Sequence, residues 1–155
     1  MGEYVATIEW RRYDAVFTDN RYSRAHMWAF DGGLRLPASA SPHVVRAPYS
    51  DPDAIDPEEA FVAAISSCHM LTFLHIAAQQ NYVVDSYLDE AVGVMEKNAD
   101  GKQAVTRVTL KPRIEFAGER TPDRAQLDTL HHEAHEACFI ANSVRTEILV
   151  ENVDP

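Results

Sequence analysis

Across its 155 residues the sequence has only two cysteines, Cys68 and Cys138, and between Ala60 and Gln80 it has no Asp, Glu, Lys or Arg at all. Two cysteines seventy residues apart are too few for a disulfide scaffold and lack the close spacing of a zinc knuckle. If they pair, the pairing serves chemistry rather than architecture. Basic residues are also scarce: 14 Lys and Arg against 24 Asp and Glu leave a formal charge of −10. That charge repels phosphate backbones and offers no basic run to anionic lipid, so neither nucleic acid nor a membrane is expected as a partner. The segment MGEYVATIEW has neither the basic n-region nor the apolar core of a signal peptide, and Ala6 stands where a myristoylation motif wants Ser or Thr. A cytoplasmic location is expected. No internal repeat or low-complexity stretch suggests a second domain, and at 46% hydrophobic residues the chain suits one domain over 1–155 with a real core.

The charge-free stretch sits in the segment around which the chain is organised, Asp56 to Gln80. Asp56 can N-cap a helix, Pro57 suits its first position, and Glu59 can close a capping box. Apolar residues then occupy every side of the wheel: Phe61, Ile65, Met70, Leu71, Phe73, Leu74 and Ile76. A helix apolar all round is buried in something. Ser66, Ser67, His69, Thr72 and His75 interrupt it too often for a membrane span. Without further information this is a core helix with an inert cysteine.

Before it, Tyr4 to Arg11 alternates as a strand, and Arg24 to Phe30 alternates as a second that stops at Asp31-Gly32-Gly33, a hairpin turn into a third from about Leu34 to Ser39. Ser41 to Ile55, with three prolines, reads as an irregular surface connection of the kind that lines sites. After it, Asn81 suits a left-handed C-cap and strands resume: Tyr87 to Lys97, a turn at Asn98 to Gly101, then Val108 to Phe116, where Pro112 implies an edge or a bulge. Thr121 and Pro122 open a second helix whose stripe of Leu127, Leu130, Ala134 and Cys138 faces the core. Val144 to Val150 alternates as a last strand. The order β-β-β-α-β-β-α-β is α+β.

DPEEAFVAAISSC around Cys68 and AHEACFIANSV around Cys138 resemble the two signature regions of the OsmC/Ohr family of organic hydroperoxide reductases, from about Trp28 onward. The resemblance implies an OsmC-like fold with a long buried central helix. It also implies a peroxidatic cysteine, a resolving cysteine that closes a disulfide, and an Arg, held by a Glu, that activates the attacking thiol. Motif by motif these roles fall on Cys68, Cys138 and Glu58. For the arginine, Arg24, Arg35 and Arg46 all stand upstream of the Pro-Glu pair, and Arg46 is favoured. No metal or bound cofactor is implied; the substrate is an organic hydroperoxide and the reductant a dithiol, lipoyl groups among them. The alternative is a member of this fold without turnover that binds a small apolar ligand in a dimer cleft.

Chemistry explains the residue types. Cysteine reacts as the thiolate, whereas Ala64, Ile65, Leu71 and Thr72, three and four residues from Cys68, disfavour charge there, so a cation from elsewhere in the fold is required. A second thiol converts a sulfenic acid to a reversible disulfide before further oxidation. Glu58 precedes Cys68 by ten residues, about 15 Å of helix, so a site using both is expected to draw Glu58 from another subunit of a homodimer with antiparallel central helices. His131, His132 and His135 resemble a metal-binding run, but His132-Glu133-Ala134-His135 is one residue short of the zincin spacing, and a solvated histidine face is expected. His69 points about 100° away from Cys68 on a helix and is a poor base for it; His69 and His75 are expected as core or interface histidines.

Overall fold

The first sixty residues hold a three-stranded antiparallel sheet in the order β1-β2-β3: β1 (Ala6–Glu9), β2 (His26–Phe30) and β3 (Arg35–Ala38). The structure is a computed structural model describing residues 1–155, and the chain divides into two compact units, 1–60 and 61–155. In the first unit the expected hairpin closes at Gly33, whose φ of 89° suits glycine, with Gly33 N–H donating to Phe30 O at 3.0 Å. The proline-rich connection that follows is tied down by buried Ser39. Its N–H donates to Ile55 O at 2.9 Å and its Oγ accepts from Asp51 N–H at 2.9 Å.

Helix α1 (Pro57–Gln79) starts as the sequence reads. Asp56 Oδ1 accepts from Glu59 N–H at 2.8 Å and Glu59 Oε2 accepts from Asp56 N–H at 3.3 Å, the reciprocal bonds of a capping box. It ends at Asn81, which takes a φ of 62°. By length and composition α1 could cross a membrane. Instead Ile65 on one stretch and Phe73 with Ala77 on the next are completely buried in two apolar clusters of the second unit.

In that unit each long strand run of the sequence divides in two. The strands are β4 (Val83–Asp89), β5 (Val92–Lys97), β6 (Gln103–Leu110) and β7 (Pro112–Ala117), so four strands, not two, separate the helices. β4 pairs with β7 in one sheet, β5 with β6 in another. The cause lies at the joints. Pro112 has no N–H, so it begins a strand rather than bulging within one, and the N–H of Lys111 turns out of the ladder to donate to Asp89 Oδ1 at 2.6 Å. Asp89 itself ends β4. The strand β8 (Glu147–Val150) adds parallel to β6.

Helix α2 (Arg124–Ala137) begins at Asp123, not at Thr121 and Pro122: Asp123 and Gln126 form the capping box. Asp accepts the free N–H groups of a first turn, which Pro122 cannot do. Leu130, Ala134 and Cys138 are buried along the expected stripe. Leu130 and Ala134 pack with Phe73, Ala77, Tyr82 and Ile114 in the larger cluster; Ile65, Val108 and Leu110 form the smaller.

Candidate functional site

Cys68 lies mid-helix on α1, partly buried, and Cys138 lies at the C-cap of α2, fully buried; both thiols are free. The two elements bring them together, for Cys68 is the thiol that neighbours Cys138 and acts on it. Burial pushes the Cys138 thiol above its ordinary range, and the neighbouring Cys68 thiol adds to that, while the N–H groups of Ala141 and Ile140 work the other way. Ala141 N–H donates to Cys138 Sγ at 3.5 Å. These donors come from the turn after α2, where the one-turn helix Ala141–Ser143 folds the chain back over its own cap.

Glu58 and the arginines are not joined. Glu58 sits partly buried in the first turn of α1, and the ion pairs of the chain are Arg11 with Glu9 and Arg124 with Asp128. Arg46 is exposed, as is Arg35. Arg24 is held firmly. Its Nη1 donates to Asn20 O at 3.0 Å and to Tyr22 O at 2.5 Å, its Nη2 donates to Asn20 Oδ1 at 2.8 Å, and its guanidinium lies 3.7 Å over the Tyr22 ring. Tyr22 in turn packs with Phe17 and Trp10.

A second contact between the helices had no local signal in the sequence. His69 Nε2 and His131 Nδ1 share a hydrogen bond of 2.9 Å, their rings are stacked within 9° of parallel, and His131 also stacks on Phe73. The expectation of a solvated histidine face therefore fails for His131, which is 3% exposed: at position 131 the stripe of Leu130 and Ala134 is turning inward, and His69 waits opposite. His132 is exposed. No three His, Cys, Asp or Glu side chains converge as metal donors. Burial lowers both rings, His69 to about 4 and His131 to about 3, with their neighbours His135 and His69 respectively lowering them further. Asp89, which counteracts this at His69, also accepts from Ser66 Oγ at 2.5 Å. An open groove lined by Leu74, Ala78, Asn81, Tyr82, Val83 and Val84 contains neither cysteine.

The chain is thus an α+β protein with one free thiol on each of two helical elements, α1 and the cap of α2. The profile of the OsmC-like protein family matches residues 50–152, and the chain belongs to that family. It is 29% identical over 98 residues to the organic hydroperoxide resistance protein OhrB of Bacillus subtilis, a match covering 62% of this chain and 66% of that protein, slightly under two thirds of its length. The structure of an OsmC-like protein of unknown function from Vibrio cholerae superposes with a TM-score of 0.96 at 57% identity, over 99% of this chain and 100% of the other. That of the Bacillus subtilis OhrB superposes with a TM-score of 0.64 at 20% identity, over 99% and 98% of the two chains, a likeness of fold.

Proposed function

We propose that this chain is a cytoplasmic enzyme that reduces organic hydroperoxides with Cys68 as the attacking thiol and Cys138 as the resolving one. The nearness of the two free thiols, one on α1 and one at the cap of α2, carries the reading. The Cys68 thiolate attacks the terminal peroxide oxygen, the O–O bond breaks, and the alcohol leaves with a proton. Cys138 then attacks the sulfenic acid, the S–S bond forms, and water leaves. A dithiol of the lipoyl kind restores the pair by exchange. Cys138 suits the second role, since burial raises its thiol and so disfavours it as the attacking thiolate. The apolar residues flanking Cys68 favour an organic over an inorganic peroxide, and a relative bears the name of an organic hydroperoxide resistance protein.

The activating cation is an arginine, the residue type that the family resemblance implies. Arg35 and Arg46 are exposed and Arg24 is already held by its own loop, so the variants Arg24→Ala, Arg35→Ala and Arg46→Ala decide among them, the true partner losing at least about a hundredfold in rate as expected for loss of an activating charge. Glu58 serves the site of a second copy, because ten helical residues rise about 15 Å. Mixing Glu58→Ala with Cys68→Ser subunits should restore roughly a quarter of wild-type activity, since about half of reassorted dimers hold one intact site. No recovery despite verified exchange would return Glu58 to a helix-capping role.

Thiol counting with one equivalent of an alkyl hydroperoxide tests the core of the proposal. Wild type should lose both thiols. Cys68→Ser should lose none, and Cys138→Ser should lose one and stall. Equal loss in both variants would overturn the assigned roles.

A further inference from the structure

We propose that the His69–His131 hydrogen bond is the positioning contact of the cysteine pair, the point at which α2 is held so that Cys138 meets Cys68. Two meetings of polar side chains join the cysteine-bearing elements near this site, Cys68 beside Cys138 and His69 bonded to His131. On α1 their residues are adjacent, about 1.5 Å apart in rise; on α2 and its cap they are seven residues apart, about 10 Å. Contacts level on one helix and two turns apart on the other require the helices to cross steeply. His131 is then a fulcrum and the last two turns of α2 a lever. A swing of about 15° about His131 moves position 138 by roughly 3 Å over that arm. Disulfide closure tolerates little of this, because the two Cβ atoms must come within about 3.5 to 4.5 Å.

The histidine contact is built to hold an angle. Apolar packing of Leu130 and Ala134 against Phe73 is without direction, whereas a 2.9 Å hydrogen bond between rings stacked at 9° fixes both distance and tilt. His131 is clamped from its other side by the Phe73 ring at 4.5 Å. The charged and polar groups around the pair are His135 and Arg124 of α2, Asp89 at the end of β4, and Asn152 of the C-terminal segment, whose Nδ2 donates to Asp128 Oδ1 at 3.0 Å. The other side-chain hydrogen bond made to α2 from this chain segment, Gln80 Nε2 to Glu133 Oε2 at 2.8 Å, is exposed and starts just past the end of α1.

This positioning role deepens the thiol-pair reading, and its test uses no peroxide, so the two can fail separately. The wild-type chain is equilibrated with mixtures of oxidised and reduced dithiothreitol: the reagent disulfide is reduced as the Cys68–Cys138 bond forms, and the equilibrium yields the pair's effective concentration. His131→Phe, which keeps the stack on Phe73 and loses the hydrogen bond, should lower that value at least tenfold. His131→Gln, which can still bond His69, should recover it to within threefold of wild type, and Gln80→Ala should leave it unchanged. His69→Phe combined with His131→Phe should be no worse than either alone. An effective concentration within twofold of wild type in His131→Phe, even with a lowered Tm, would overturn the proposal, as would a wild-type pair that forms no disulfide. Should His131→Phe not fold, His131→Gln against His131→Leu supplies the same comparison, and equal values there would be decisive against it.

Discussion

Ile65, His69, Phe73 and Ala77 recur every four residues along α1 and are buried; Ala63, Ser67, Leu71 and His75 recur at the same interval about 200° around and are exposed. Neither face carries an Asp, Glu, Lys or Arg. Composition therefore does not tell the faces apart, and the difference is one of partners. The first face meets the rest of its own unit. The second, with Leu71 60% exposed against 0% for Phe73, is what a second copy would cover under the proposed function.

The largest effect separates these faces directly. Phe73→Ala should destabilise the chain by about 3 to 5 kcal/mol, since it opens a cavity among Leu130, Ala134 and His131. Leu71→Ala should cost the isolated chain less than about 1 kcal/mol, because an exposed side chain leaves no cavity, yet it should weaken self-association in sedimentation. Equal unfolding free energies for the two, with no change in mass, would mean that the exposed face is not an interface.

Acid should act on the buried face next. His69 titrates near 4 and His131 near 3 in the fold, against about 6.5 in an unfolded chain. A histidine lowered on folding contributes stability that is complete above 6.5, fades as pH falls through that value, and is gone near the folded value. Between pH 6.5 and 4 the first proton of the pair should therefore remove on the order of 3 kcal/mol. Denaturation at stepped pH checks it: a His69→Phe/His131→Phe variant should lose most of the slope, and an unchanged slope would place the acid sensitivity elsewhere.

A third test lies at the flank between the faces. A Cβ added at Gly93 of β5 would stand 2.5 Å from Val62 Cγ2 on α1, closer than atoms can pack. Gly93→Ala should cost about 1 to 3 kcal/mol. Adding Val62→Ala should return part of it, and a cost unaffected by Val62→Ala would trace the loss to the backbone of β5 instead.

What the sequence discloses and what it withholds follow the range of the interactions concerned. The capping box of Asp56 and Glu59, the turn at Gly33, the left-handed Asn81 and the stripe of α2 are decided within a few residues, and all were legible. The breaks after Asp89 and Lys111 were not, because a strand that changes partner keeps its period of two; Pro112 was the only mark, and it reads equally as a bulge. That Cys68 and Cys138 would be neighbours was expected only through the family resemblance, since seventy residues separate them. The histidine pair was not, since residues 69 and 131 are joined by α2 crossing α1, which no local pattern records. The candidate arginine stays divided for a similar reason: Arg24 is distinguished by Asn20 and Tyr22 folding back around it, a loop conformation with φ of 63° at Asn20 that periodicity does not reach.

The smallest expected effect concerns Ser66, which flanks the buried face beside Ile65. Its Oγ donates to Asp89 Oδ2, while Asp89 Oδ1 accepts the Lys111 N–H at 2.6 Å, so one carboxylate ties α1 to both strand joints. Ser66→Ala removes one bond and leaves the carboxylate with the other, at a net cost of about 1 to 2 kcal/mol for a partly buried hydrogen bond to a charged group. Asp89→Asn should cost more, because Lys111 N–H then loses a charged acceptor. If Asp89 is what redirects Lys111, hydrogen exchange at that amide should quicken in Asp89→Asn and stay slow in Ser66→Ala. Equal protection in all three proteins would show that Pro112 alone breaks the strand, and that the serine on α1 plays no part in where β6 ends.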